Sequence, residues 1–160
     1  MPLLAIINET KCTIIAPQNL FNHEITKNTN ELMMDFKSKY VEPTVVAGKK
    51  LLAKWVFPES DSEEYLKSDV RLTLEFDHIM KWIWWHSKGD YFSTLADNIQ
   101  TSSQVLIHSL SKTMTQKPFS KTKGILETME FHPTRPLFYI CNGTHVFCYN
   151  LQKQALAKKF

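Results

Sequence analysis

Apolar and polar residues alternate along much of this chain in short runs, and the runs recur. One run ends at Trp85-His86, turns through Ser87-Lys88-Gly89-Asp90 and resumes as Tyr91-Phe92-Ser93-Thr94. Further on, Phe131-His132 ends a run, Pro133-Thr134-Arg135-Pro136 makes the turn, and Leu137-Phe138-Tyr139-Ile140 continues. A third run follows in each copy: Val105-Leu106-Ile107-His108-Ser109-Leu110 and Val146-Phe147-Cys148-Tyr149-Asn150-Leu151. Period-two alternation between tight polar turns predicts β-strands. Residues 79–85, and their counterparts 125–131, carry large apolar side chains at both parities, which predicts an inner strand buried on both faces. Residues 71–76 alternate more plainly and predict a half-buried outer strand.

Several strands per unit at a period of about 40–45 residues predict the blades of a WD-repeat propeller. A third copy starts at the N-terminus. Laying Pro2 on Pro136 puts Leu4, Ile6 and Asn8 on Phe138, Ile140 and Asn142, and Thr10 on Thr144. That copy lacks its first strand. The expected fold is therefore all-β, a partial WD-repeat β-propeller of about three blades. Residues 1–34 are an incomplete blade, 35–69 a connecting insertion, 70–123 a second blade with a basic loop, and 124–160 a third blade. Because propellers close with about four to eight blades, the chain reads as a fragment or shortened product. Exposed strand edges predict poor solubility for the chain alone.

The connecting segments are less regular. Glu31-Leu32-Met33-Met34 fits an outer strand or the start of a short helix. Residues 41–50, with Pro43 and Gly48, read as a loop, and the acids Glu59, Asp61, Glu63 and Glu64 as a solvated excursion. The sequence has 43% hydrophobic and 12% aromatic residues, ample for a packed sheet protein, and its net charge of +3 requires no nucleic acid. Three cysteines argue against a disulfide framework, and Cys141 and Cys148 fall in strands as small apolar residues. Neither a secretory signal nor an apolar run long enough to span a bilayer is visible, so a soluble intracellular chain is expected. Asn8-Glu9-Thr10 and Asn142-Gly143-Thr144 fit the glycosylation pattern, but recur where tight hairpins need Asn or Gly at positive φ.

No catalytic constellation is present: there is no phosphate-binding glycine loop, no nucleophile elbow and no metal-spaced Cys/His set, so neither enzyme nor cofactor nor metal is expected. His86 and His132 occupy matching repeat positions beside Asp90, which favours a structural imidazole bonded within its blade, for example to Ser93. Trp82, Trp84 and Trp85 suit the space between blades better than a base-stacking platform. The WD dipeptide position holds His108-Ser109 in one copy and Tyr149-Asn150 in the other. One stretch stands apart. Residues 112–124 hold Lys112, Lys117, Lys121 and Lys123, with Phe119 among them and no acid. Such a segment suits phosphate contacts with an occasional base stack, or is simply a solvated loop.

Taken in order, WHSKGDYFST, QVLIHSLSK, QKPFSKTKG and EFHPTRPLFYI resemble the Erb family of eukaryotic ribosome biogenesis proteins, called block of proliferation (Bop) in animals. PLLAIINETKCTIIAP and NTNELM are similar to its first propeller blades, and residues 36–70 are looser. The resemblance implies part of a seven-bladed propeller acting as a non-catalytic scaffold in maturation of the large-subunit and 5.8S rRNAs. It further implies a nuclear, nucleolar complex with a pescadillo-type protein and a second WD-repeat protein, contact with pre-rRNA in the large-subunit particle, and no membrane or small-molecule substrate. The lysine segment matches the family's basic loop; Asn142-Gly143-Thr144-His145 departs from its expected turn. A generic WD-repeat adaptor for peptides, without RNA, is the alternative.

Overall fold

The computed structural model describes residues 1–99, 104–119 and 124–160. Its strands form three four-stranded antiparallel sheets, two of which are simple meanders. The chain divides into two compact units, one of residues 1–77 with 111–113 and one of the remainder.

In the first unit, β1 (Leu4–Asn8) and β2 (Lys11–Ile15) form a hairpin, with Leu4 opposite Ile15, Ile6 opposite Thr13 and Asn8 opposite Lys11. In the second unit, β10 (Leu137–Asn142) and β11 (His145–Asn150) pair Phe138 with Tyr149, Ile140 with Phe147 and Asn142 with His145. The registers match at every position of the alignment anchored on Pro2 and Pro136. The turns differ in how they close. Glu9 adopts φ 50°, whereas Gly143 is not among the positive-φ glycines. Instead Asn142 Oδ1 accepts the backbone N–H groups of Thr144 and His145 at 3.1 and 2.9 Å, which corrects the expectation of a glycine in the left-handed region there.

The first sheet has the order β1-β2-β4-β3, where β3 is Lys54–Val56 and β4 is Val70–Glu75. Two expectations change here. β4 completes the first sheet rather than opening the second blade at residue 70, and it is an interior strand flanked by β2 and β3 rather than an outer one. Local alternation reports which face of a strand is buried and carries no information about which neighbours it finds.

Residues 23–39 make a single helix, α1 (His23–Lys39), which decides the open reading at Glu31–Met34 for helix. Asn22 caps it by accepting the N–H of Ile25 at 2.9 Å, Lys37 and Lys39 lie in the last turn, and Thr29, Met33 and Phe36 give it a buried stripe at helical spacing. The acidic excursion contains a short helix, α2 (Glu63–Lys67), capped by Ser62; Glu59 pairs with Lys37 at 3.0 Å and Glu63 with Lys67. Arg71, only 2% exposed, ties these pieces to β4. Its Nε donates to Asn30 Oδ1 on α1 at 2.8 Å, its Nη1 donates to the Tyr65 carbonyl at 3.0 Å, and its guanidinium lies 3.8 Å over the Tyr65 ring.

The second unit holds two sheets. One has the order β5-β6-β7-β8: β5 (Met80–Trp85), β6 (Tyr91–Ala96), β7 (Val105–Ser109) and β8 (Met114–Gln116). The other has the order β12-β11-β10-β9, with β9 (Leu126–Phe131) and β12 (Ala155–Lys159) at its edges. Leu95, Val105 and Ile107 from the first meet Leu126, Met129, Phe131, Phe138, Ile140 and Phe147 from the second in one apolar core. β5 is an edge strand, and Trp82 and Trp84 remain 51% and 44% exposed. Burial on both faces was therefore the wrong expectation for it, and those two indoles do not fill a gap between sheets. Trp85 does pack, with its ring 4.9 Å from that of Phe92.

Candidate functional site

The lysine segment is not one loop. β8 runs through it, pairing Ser109 with Met114, His108 with Thr115 and Ile107 with Gln116. Lys112 therefore sits in the turn between β7 and β8, and Lys117 lies beyond the far end of β8; both are exposed. At about 3.3 Å per strand residue they stand roughly 15 Å apart along the chain. Lys121 and Lys123 lie outside the described residues.

Phe119 leaves the basic surface altogether. It is 6% exposed and stacks on Tyr149 with ring centroids 4.2 Å apart, inside the core of the second unit. A ring whose face is already covered by another aromatic has none to offer a base, so the expected base stack loses its aromatic. Gln104, which sequence reasoning passed over, closes the other side. It is 1% exposed, its Nε2 donates to the Gly124 carbonyl at 2.9 Å, and its Oε1 accepts the Leu126 N–H at 2.8 Å. Gly124 holds φ 78°, a backbone conformation that a side chain would strain. Phe119 and Gln104 thus fix both feet of the segment carrying Lys121 and Lys123.

His86 and His132 do the same job in their two copies, though not the one expected. His86 Nδ1 accepts the Lys88 N–H at 3.1 Å, and His132 Nδ1 accepts those of Thr134 and Arg135 at 3.2 and 3.1 Å. Each imidazole closes the polar turn that follows it. Ser93 Oγ, the expected partner of His86, instead donates to the Trp84 carbonyl at 3.5 Å. Burial, with Lys88 nearby, pushes the His86 pKa below its ordinary value, in keeping with a neutral ring.

The buried imidazole of this unit is His108. It is wholly enclosed, with Nε2 2.9 Å from Thr94 Oγ1 and Nδ1 2.9 Å from Thr115 Oγ1. Burial pushes its pKa down to about 3. The neutral ring needs one donor and one acceptor partner, and two rotatable hydroxyls supply both. Thr115 lies directly opposite His108 across β7 and β8, so the signal existed in the sequence but only once the register of that hairpin was known.

Among the described residues no cluster of three or more His, Cys, Asp or Glu could hold a metal ion, and no helix is long and apolar enough to cross a membrane.

No protein-family model matches the chain. Curated relatives do. Ribosome biogenesis protein bop1 of Danio rerio is 35% identical over 157 residues, which is 98% of this chain and 19% of the relative. Ribosome biogenesis protein BOP1 homolog of Aedes aegypti is 35% identical over 158 residues, covering 98% of this chain and 17% of the relative. The chain belongs to the Bop/Erb family. Ribosome biogenesis protein ERB1 of Saccharomyces cerevisiae is 41% identical over 113 residues, 71% of this chain and 14% of the relative. The chain thus spans less than a fifth of the length of these Bop/Erb relatives.

Proposed function

We propose that this chain serves ribosome biogenesis as a non-catalytic scaffold, a stretch of propeller that binds protein and pre-rRNA while the large subunit and 5.8S rRNAs mature. Membership of a family whose members are named ribosome biogenesis proteins carries the reading. A pescadillo-type protein and a second WD-repeat protein are the proposed protein partners, in the nucleolus. Lys117, Lys121 and Lys123, on a segment anchored by Phe119 and Gln104, are the proposed RNA contacts, with Lys112 in a separate turn. Contacts of this kind are electrostatic, salt-dependent and tolerant of sequence.

The test is affinity purification of the tagged chain from nucleolar extract, with RNA crosslinking. Recovery of the pescadillo-type protein and of pre-rRNA is expected. Changing Lys117, Lys121 and Lys123 to Glu should reduce crosslinking and leave protein recovery intact. Unchanged crosslinking rules out these lysines, and recovery of peptide-bearing partners without RNA favours a generic adaptor.

A further inference from the structure

Residues 41–53 of the first unit form no helix or strand, and part of this loop lies over the end of β4. Between them is a cavity of about 480 Å³. Val45 and Leu51 from the loop and Phe76 just past β4 give it apolar walls. Phe76 is fixed there by its N–H, which donates to the Thr10 carbonyl at 2.8 Å. Gly48, at φ 86°, lets the loop double back, and the Lys49 N–H closes the turn on the Val46 carbonyl at 3.0 Å.

Charge around the cavity is unevenly matched. Lys49, Lys50 and Lys54 line it together with Glu75 and Asp77. Both acids are already answered: Lys11 pairs with Glu75 and Lys50 with Asp77, each at 3.3 Å. Lys49 and Lys54 are exposed and form no ion pair among the described residues. The main chain beside them is unspent as well. The N–H groups of Lys50, Leu51, Leu52 and Ala53 have no hydrogen-bond partner among the described residues. An apolar interior, two unmatched cations and a row of open main-chain donors therefore meet at one place.

We propose that this cavity is a docking site for a short acidic peptide of another protein. An apolar side chain of the peptide enters between Val45, Leu51 and Phe76, and flanking carboxylates meet Lys49 and Lys54. Charge complementarity favours this occupant, and so do the open N–H groups, which suit the carbonyls of an extended peptide. A phosphodiester chain fits poorly. Glu75 and Asp77 stand in the lining, and a sugar-phosphate backbone has no aliphatic side chain to fill the interior. The site lies wholly within the first unit, so it stands or falls separately from the RNA contacts proposed above.

The probe is a fluorescein-labelled peptide, Gly-Glu-Asp-Leu-Glu-Asp-Gly, titrated with the full chain and read by anisotropy. The double variant Lys49→Glu, Lys54→Glu should weaken binding by about tenfold or more, and Ser in place of the peptide's Leu should weaken it comparably. Tryptophan fluorescence checks that the variant keeps the native fold. Amide exchange of residues 50–53 should slow when the peptide binds. Unchanged affinity in the double variant overturns the site, as does equal binding of a peptide with Lys for its four acids. Single-stranded RNA that displaces the probe as well as unlabelled peptide does makes the cavity a general anion surface and overturns the peptide assignment. A wild-type chain that does not bind the probe overturns it too.

Discussion

His108 makes the stability of the second unit depend on pH in a calculable way. Its pKa lies near 3 in the folded chain, against 6.5 for an ordinary imidazole. Between those values the unfolded chain binds a proton that the folded chain refuses, so stability is complete above pH 6.5 and falls as pH drops towards 3. The whole difference is worth about 5 kcal/mol, of which about 2 kcal/mol is already lost at pH 5. The assay is urea unfolding at pH 7 and pH 5, followed by fluorescence of Trp82, Trp84 and Trp85 on β5. The midpoint should fall by about 1 M urea between the two pH values. In His108→Gln, whose amide offers Thr94 and Thr115 one donor and one acceptor without titrating, most of that fall should vanish. His86, shifted in the same direction, contributes to the remainder. If His108→Gln loses as much stability as the wild type on going to pH 5, the buried neutral imidazole is not the source and the reasoning is wrong.

Phe119→Ala should destabilise the second unit by about 3–5 kcal/mol, because it opens a cavity against Tyr149 and Phe138, and thermal melts measure the loss. Gln104→Leu should cost about 1–3 kcal/mol by stranding the Leu126 N–H and Gly124 carbonyl, and should show as faster amide exchange at the start of β9. Arg71→Met removes the ties from β4 to Asn30 and Tyr65; limited proteolysis should then cut within α1 or α2 sooner than in the wild type, and an unchanged digestion pattern would count against the tie. The outer edge of β1 faces no strand among the described residues, and Leu4 and Ile6 there are half exposed, so Ile6→Lys should lower light scattering of the concentrated chain.

The repeat itself determined much of this molecule. The two meanders of the second unit, the shared registers of β1–β2 and β10–β11, and the recurrence of His86 at His132 all follow from side chains alternating with period two between turns, which is local information. The basic composition of residues 112–124 was equally plain. Tertiary structure decided the rest, because each remaining question was about neighbours. Alternation in residues 71–76 could not say that β4 would sit between β2 and β3. Apolar residues at both parities of β5 could not say that it would be an edge with Trp82 and Trp84 in solvent. Phe119 read as an aromatic on a basic surface until a Tyr149 ring from another sheet covered it. Gln104 and His108 looked ordinary because their value lies in groups that the chain brings to them from a distance: the Gly124 carbonyl and Leu126 N–H for one, the Thr94 and Thr115 hydroxyls for the other. A sequence fixes which faces of a strand are apolar; only the assembled sheets decide which polar groups are enclosed, and an enclosed polar group must find its partner there.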